Sequence, residues 1–156
     1  MWDYYSYSAL KVIHLGCLVF WLGPTLGSWW ILLNVKQSKD SHATLAVYRI
    51  FLQTLWLEHI AFLGLIISGS AMAIISHAWD QPWLTTKLMI ITAIIIPLEI
   101  VDIYIGNFKL PKLINEQGES KLEHFYHGVF TKTAIVLLPP AVLAIFILAV
   151  TKSTIL

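Results

Sequence analysis

Long apolar runs alternate with short polar connections along the chain, and we count four such runs. They cover about residues 9–33, 47–76, 83–105 and 125–150. A helix needs about 20 predominantly apolar residues to cross the hydrocarbon core of a bilayer, and each run reaches that length. The pattern therefore predicts an all-α membrane protein, with one domain over residues 1–156 and four transmembrane helices.

The connections between the runs predict how these helices are arranged. The second and third runs are joined by the hexapeptide HAWDQP at residues 77–82, and the longest connection covers residues 107–123. Short connections place consecutive helices side by side in opposite directions. We therefore expect an antiparallel bundle of four transmembrane helices.

Proline residues inside the runs predict where these helices are interrupted. Gly23 and Pro24 break the first run. Proline lacks a backbone N–H and bends a helix when it occupies an interior position. Bends are therefore also expected at Pro97 in the third run and at the two prolines, residues 139–140, in the fourth.

Small residues spaced four apart predict where helices approach each other closely. Gly23 and Gly27 have this spacing in the first run, and Gly64 and Ser68 repeat it in the second. Small side chains at this interval let the backbones of two transmembrane helices come together. We expect a close helix–helix contact at both pairs.

Basic residues are unevenly distributed between the two ends of the predicted helices. The first and third connections and their flanks hold Lys36, Lys39, Arg49, Lys109, Lys112 and Lys121. The opposite side has only Lys11, Lys87 and Lys152. Because cytoplasmic connections are enriched in Lys and Arg, both termini are expected on the periplasmic side of a bacterial inner membrane, which the chain crosses several times.

The composition is that of a chain surrounded by lipid. Hydrophobic residues make up 58% of the chain and charged residues 12%, whereas soluble domains carry about 25% charged residues. The formal net charge of +1 leaves no basic excess for binding nucleic acid. The single cysteine, Cys17, excludes a disulfide within the chain, and the lack of a CxxCH motif excludes attached c-type haem.

A first group of functional residues is predicted near the periplasmic ends of the helices. His14 and Lys87 each lie roughly one turn inside their runs. At a rise of about 1.5 Å per residue they should share one depth, which Met72 of the second run also reaches. Taken alone, Lys87 also fits a side chain that extends to the lipid headgroups.

A second group of ionisable residues, the inner group, is predicted in the cytoplasmic half of the membrane. Its members are Glu58, His59, Glu99, Asp102, His124 and His127. Glu99 with Asp102, and His124 with His127, are three residues apart and share a helix face. Ionisable residues within transmembrane helices are costly and mark ion pathways, proton relays or ligand sites. The inner group could bind a metal ion, relay protons or hold the propionates of a haem.

Parts of the inner group also have a simpler interpretation. His124 and His127 could be solvated at the inner membrane interface. Asp102 could form an ion pair with Lys109 or Lys132. These alternatives stay open on the sequence alone.

A haem with two histidine ligands would need His14 and His59 at a similar depth. Their estimated depths differ by about 8 Å, and Lys87 or Met72 matches His14 better. The spacing would support two sites, an outer one around His14 and an inner one around His59. Neutral histidines with hydrogen bonds inside the bundle are the alternative for both.

Three parts of the chain carry a resemblance to a known family. They are LKVIH at residues 10–14 followed by FWLG at residues 20–23, QPWLTTKL at residues 81–88, and the last run, from HFY at 124–126 to VTK at 150–152. In that order they resemble the start, the opening of the third helix and the ending of the HemJ-type protoporphyrinogen oxidases and the wider CopD-like group of four-helix membrane proteins.

This resemblance implies a cofactor and its ligands. HemJ-type proteins bind b-type haem, and the histidine and lysine in the matching stretches are their functional residues. Carried over to this chain, the resemblance makes His14 the expected axial ligand of haem b and Lys87 its companion.

One main functional hypothesis and two alternatives follow. The main hypothesis is a b-type haem-binding membrane redox protein, an electron carrier or oxidoreductase that works with a quinone, a porphyrin, or membrane or periplasmic redox partner subunits. Its expected cofactor ligands are His14, Lys87, His59 and Met72. The alternatives are a haem-free transporter of metal ions or protons that uses the inner group, and an accessory structural subunit of a larger membrane complex.

Overall fold

The computed structural model describes residues 2–37, 41–115 and 121–152. Every regular element in these residues is helical. Four helices are long and apolar enough to cross a membrane, namely Tyr5–Gln37, His42–Ile75, Pro82–Lys112 and Phe125–Thr151. The predicted all-α membrane fold with four spans is confirmed.

The chain divides into two compact units, an N-terminal unit of residues 1–76 and a C-terminal unit of residues 77–156. The helices of the N-terminal unit are α1 (Trp2–Leu22), α2 (Pro24–Gln37) and α3 (Ser41–Ile75). Both α1 and α2 pack against α3. The N-terminal unit is therefore a helical hairpin with one interrupted arm and one continuous arm.

The interruption between α1 and α2 lies at Gly23, as the sequence predicts. The Gly23 N–H still donates to the carbonyl oxygen of Val19, over 3.0 Å, and completes the last turn of α1. A Cβ atom at Gly23 would lie 3.0 Å from that same oxygen, so a side chain would press on the turn. Pro24 then begins α2, where its missing N–H costs no helical hydrogen bond.

Contacts along the N-terminal hairpin pair later residues of its first arm with earlier residues of α3. The rings of Trp21 and Phe62 have centroids 5.7 Å apart. Further along, the hydroxyls of Ser28 and Thr54 lie 2.6 Å apart. The two arms are therefore antiparallel, and they keep one register across the interruption at Gly23.

The helices of the first arm and α3 extend beyond the apolar runs that predict them. The first run ends at about residue 33 and the second begins at about residue 47, whereas α2 continues to Gln37 and α3 starts at Ser41. Hydropathy detects the part of a helix that lies in hydrocarbon and is silent on polar turns beyond it. Lys39, one of the residues behind the predicted orientation, lies outside the described residues, and the orientation stays a prediction.

A tight turn at residues 76–81 leads from α3 to the next helix. His77 adopts a left-handed backbone conformation with φ of 49°, which ends the helical path of α3. The Gln81 N–H donates to the Ala78 carbonyl over 3.0 Å. Pro82 then begins the following helix with a φ that is already suited to it.

The C-terminal unit contains two helical arms that change repeatedly between α-helix and π-helix. Its first arm consists of α4 (Pro82–Ile90), a π segment (Ile91–Ile95), α5 (Ile96–Asp102), a π segment (Ile103–Lys109) and α6 (Leu110–Asn115). Its second arm consists of α7 (Lys121–His124), a π segment (Phe125–Phe130) and α8 (Thr131–Thr151). Because α4, at the start of the first arm, packs against α8, at the end of the second, the arms are antiparallel.

The two π segments of the first arm each precede a proline. Pro97 lies in the first turn of α5, just after the segment Ile91–Ile95. Pro111 follows the segment Ile103–Lys109 by two residues. A wider π turn relieves the clash and the lost hydrogen bond that proline brings into a helix. Pro97 therefore acts through a local change of helix type, and the helix continues past it.

Buried positions in both units include polar residues, while many apolar side chains are exposed. The buried polar residues are Ser28, His59, Ser68, Glu99, Asp102 and Asn107. Exposed apolar side chains include Val12, at 71% exposure, and Val136, at 70%. In a bilayer the exposed apolar surface faces lipid, and polar groups find their partners inside the protein. The buried polar residues thus mark where a functional site can lie.

Candidate functional site

His14 of α1 is attached to α3 by a hydrogen bond. Its Nδ1 lies 2.9 Å from the Oγ of Ser68. The imidazole is half-buried, and it lies in the candidate span Tyr5–Gln37. The predicted outer site therefore has a histidine with a defined orientation between two antiparallel helices.

Ser68 makes a second hydrogen bond to the backbone of its own helix. Its hydroxyl donates to the carbonyl oxygen of Gly64 over 2.6 Å, with Leu65 O further away at 3.4 Å. Only 2% of the Ser68 surface is exposed. Bonding to the preceding turn is a common arrangement of serine inside a helix, and here it holds the oxygen in place toward His14.

Two glycines of α3 allow α1 to approach at this site. A Cβ atom at Gly64 would lie 2.6 Å from Cys17 Sγ, and one at Gly69 would lie 3.2 Å from His14 Cε1. Any side chain at Gly64 would thus displace the thiol. The close contact predicted at Gly64 and Ser68 is confirmed.

The corresponding prediction for Gly23 and Gly27 is wrong at Gly27. A Cβ atom there would meet no atom within 4 Å among the described residues. The near neighbour of Gly23 belongs to its own helix. Spacing alone could not separate the two pairs, since it does not say which face of a helix meets its neighbour.

Met72 and His59 lie on α3 on either side of Ser68. Met72 is half-buried, and it is one turn beyond Ser68 on the same helix face, about 6 Å along the axis. His59 is buried, with 8% exposure, and lies about 13 Å from Ser68 along the axis in the other direction. The level of His59 thus differs from that of His14 by more than the predicted value of about 8 Å, which favours two separate sites over one shared haem.

Lys87, the predicted companion of His14, belongs to the C-terminal unit. It is the sixth residue of α4 and is half-buried. It lies in the candidate span Pro82–Lys112. Its companionship with His14 stays a prediction.

In the C-terminal unit, Asp102 receives a hydrogen bond from Tyr126. The Tyr126 hydroxyl donates to Asp102 Oδ1 and joins the two arms. Asp102 is 9% exposed and Tyr126 is 2% exposed. One partner of this carboxylate is therefore a phenol, whereas the Lys109 Nζ lies over the Tyr104 ring and Lys132 is exposed.

Tyr126 is held in position by aromatic neighbours on its own π segment. Its ring stacks on Phe130, with centroids 5.4 Å apart, and meets the His127 ring edge-on at 5.1 Å. The Thr131 hydroxyl donates to the Tyr126 carbonyl, five residues back, over 2.7 Å. Such π turns occur frequently at functional sites.

The sequence reasoning missed Tyr126, although a signal for it is present. A buried tyrosine usually hydrogen-bonds through its hydroxyl, and Tyr126 lies between two residues of the inner group, His124 and His127. A pattern of charged residues does not reveal Tyr126, because an uncharged phenol carries no large desolvation cost.

Other members of the inner group differ in their burial. Glu99, one turn before Asp102 on the same face, is 4% exposed. Glu58 and His127 are half-buried, and His124 is exposed. Across the described ranges, no three His, Cys, Asp or Glu side chains are grouped so that they could hold a metal ion.

Comparison with known proteins gives one finding. A family model described as "Predicted integral membrane protein (DUF2269)" matches residues 8–153. No curated protein and no solved structure matches the chain. The match includes all four candidate spans almost completely, so the protein is a multi-pass integral membrane protein in contact with the lipid bilayer. The chain belongs to the DUF2269 family of predicted integral membrane proteins.

Proposed function

We propose that this membrane protein binds b-type haem through His14 and transfers electrons. The observation that carries the proposal is the His14 imidazole, which lies in a candidate membrane span and is bound at Nδ1 by Ser68 over 2.9 Å. An ionisable side chain inside a transmembrane helix is a functional-site hypothesis by default. Haem, when bound, would supply reversible one-electron chemistry.

The residues around His14 suit a haem ligand. A histidine that binds a metal through one ring nitrogen usually hydrogen-bonds through the other, which fixes the ring orientation. Ser68 supplies that second bond here. The glycine at residue 69 leaves room for the ring edge, because a Cβ atom there would lie 3.2 Å from His14 Cε1.

The other proposed ligands keep distinct roles. Lys87 would bind the iron or pair with a haem propionate, as the resemblance to HemJ-type and CopD-like proteins implies. Met72, one turn beyond Ser68, offers a thioether as an alternative second ligand. His59, about 13 Å away along α3, would serve a separate inner site.

The distribution of basic residues, which predicts the orientation, and the same resemblance support the wider setting of the proposal. The protein would work in a bacterial inner membrane with both termini in the periplasm. Its electrons would pass to or from a quinone, a porphyrin, or a membrane or periplasmic redox partner subunit. If the quinone or porphyrin is a substrate, the protein would be an oxidoreductase.

The proposal is tested by a dithionite-reduced minus oxidised spectrum of protein purified from haem-replete cells. We expect a b-type band in the wild type that is lost in His14→Ala. The matched control is His42→Ala, because His42 is an exposed histidine at the start of α3. A colourless wild-type protein would overturn the proposal.

A second candidate function, transport of protons or metal ions through the inner group, is favoured by the burial of Glu99 and Asp102. Carboxylates inside membrane spans mark proton and ion pathways in membrane proteins. The test is ion flux into proteoliposomes driven by a pH gradient. If the inner group transports ions, we expect Asp102→Asn to abolish ion flux and His14→Ala to leave it unchanged. Equal ion flux in both variants and the wild type would contradict this second function.

A further inference from the structure

The His14 ring has two neutral forms, and they present different atoms to a ligand. With the proton on Nδ1, the lone pair is on Nε2; with the proton on Nε2, it is on Nδ1. The bond between His14 Nδ1 and Ser68 Oγ, 2.9 Å long, is compatible with either form when taken alone. The next hydrogen bond in the chain decides between them.

Ser68 has a single hydroxyl proton, and its direction is set by Gly64. The Ser68 Oγ lies 2.6 Å from the Gly64 carbonyl oxygen. Two oxygens at this distance repel each other unless a proton lies between them, and a carbonyl has none to give. The Ser68 proton therefore points to its own helix backbone, as it would also in the longer contact with Leu65 O.

Because the Ser68 hydroxyl donates its proton to Gly64 O, Ser68 Oγ can only accept a hydrogen bond from His14. The proton in the contact between His14 and Ser68 must then come from the imidazole, which places it on Nδ1. The remaining ring nitrogen, Nε2, carries the lone pair. The chain of bonds runs from the His14 Nδ1–H to Ser68 Oγ and from the Ser68 hydroxyl to Gly64 O.

We propose that Ser68 is a positioning residue that holds His14 in the Nδ1–H form and thereby makes Nε2 the ligand-binding atom. The identity of the ligand as haem iron rests on the proposed function. The position of the proton on the His14 ring is independent of it. An N–H donated to an acceptor also raises the basicity of the opposite nitrogen and strengthens its bond to a metal.

The surroundings of Ser68 restrict alternatives to this arrangement. Ser68 is 2% exposed, so water has little access to replace its hydroxyl. The His14 ring occupies space that a side chain at residue 69 would need, since a Cβ atom there would lie 3.2 Å from its Cε1. The arrangement thus depends on one hydroxyl and on two glycines that bring α1 and α3 together.

The first test is ring-nitrogen NMR on haem-free full-length protein with ¹⁵N-labelled histidine, at alkaline pH where the imidazole is neutral. His14→Gln assigns the His14 signals by their loss. In the wild type we expect a one-bond N–H coupling at Nδ1 and none at Nε2. In Ser68→Ala the Nδ1 coupling should be lost or reduced to part of the population.

The matched control is Ser28→Ala, which removes another hydroxyl between the arms of the same hairpin and lies far from His14. It should leave the His14 signals unchanged, and circular dichroism should show both alanine variants folded. A wild-type proton on Nε2, or a His14 signal that Ser68→Ala does not change, would overturn the role of Ser68.

Haem titration then separates this inference from the proposed function. We expect Ser68→Ala to bind haem about 10- to 100-fold more weakly than the wild type, and Ser28→Ala to bind it equally well. If the wild type shows the Nδ1–H form but binds no haem, the positioning role stands and the haem proposal fails. If haem binds but affinity is the same in both serine variants, Ser68 has no role in ligation.

Discussion

The two units of the chain each join their antiparallel arms through a hydrogen-bonded polar pair, but the backbones around the pairs differ. In the N-terminal unit, His14 meets Ser68 between regular α-helices lined by glycine. In the C-terminal unit, Asp102 meets Tyr126 where both arms change to π-helix. The first pair combines a ring with a short hydroxyl, and the second combines a short carboxylate with a long phenol.

This difference shows two ways to satisfy a polar group inside a membrane. A serine side chain is short, so its partner can reach it only if the two backbones are close, which glycines at residues 64 and 69 permit. A tyrosine side chain spans a larger gap, and a π turn changes the direction in which it points. The N-terminal contact should therefore be sensitive to added volume, and the C-terminal contact to loss of the hydroxyl.

The largest effect is expected from added volume at Gly64. In Gly64→Leu the new side chain displaces Cys17 Sγ, which lies 2.6 Å from the position of a Cβ atom. Overpacking of this kind lowers the free energy of unfolding by about 1–3 kcal/mol. Unfolding followed by circular dichroism in mixed detergent micelles would measure it.

Gly27→Leu is the matched control for this substitution. It lies in the same hairpin, and a Cβ atom there meets no described atom within 4 Å. If the two leucine variants lose equal stability, close packing at Gly64 is not what holds the N-terminal arms together.

A smaller effect is expected from removal of the Tyr126 hydroxyl. Tyr126→Phe keeps the aromatic ring that stacks on Phe130 and removes the hydroxyl that donates to Asp102. Hydrogen bonds between transmembrane helices contribute about 0.6 kcal/mol on average and about 1.7 kcal/mol at most. We expect Tyr126→Phe to lower the free energy of unfolding by close to the upper value, because the acceptor is a carboxylate.

Detergent unfolding of Tyr126→Phe is compared with that of Tyr104→Phe, which alters an exposed tyrosine on the first arm of the same unit. The control should be as stable as the wild type. Equal stability of all three proteins would show that the bond from Tyr126 contributes nothing to the C-terminal unit.

The smallest effect is expected from Ser28→Ala. The Ser28 hydroxyl lies 2.6 Å from that of Thr54, which also donates to the Phe51 carbonyl. Because Thr54 keeps that backbone partner, the free energy of unfolding should fall by about 0.6 kcal/mol, the average for hydrogen bonds between transmembrane helices. The same unfolding measurement checks it, and a loss of stability larger than that of Tyr126→Phe would reverse the expected order of these two hydrogen bonds.

Several local features of the fold could be predicted from the sequence because they depend on neighbouring residues. Apolar length alone identifies the four spans, and Gly23 with Pro24 locates the break between α1 and α2. His14, within its apolar run, could be identified as a site candidate because an ionisable residue in a span is rare. The π segments could not be predicted, since a proline indicates a disturbance but not its form.

The sequence by itself thus determined that this is a four-span membrane protein and which ionisable residues lie inside the spans. Only the tertiary structure decided their partners, Ser68 for His14 and Tyr126 for Asp102. The physical reason is geometric: each helical residue rotates the direction of its side chain by about 100° and rises about 1.5 Å. Which residues meet therefore depends on the register and rotation of two packed helices. Neither can be read from the sequence around His14 and Ser68, which are 54 positions apart in the chain.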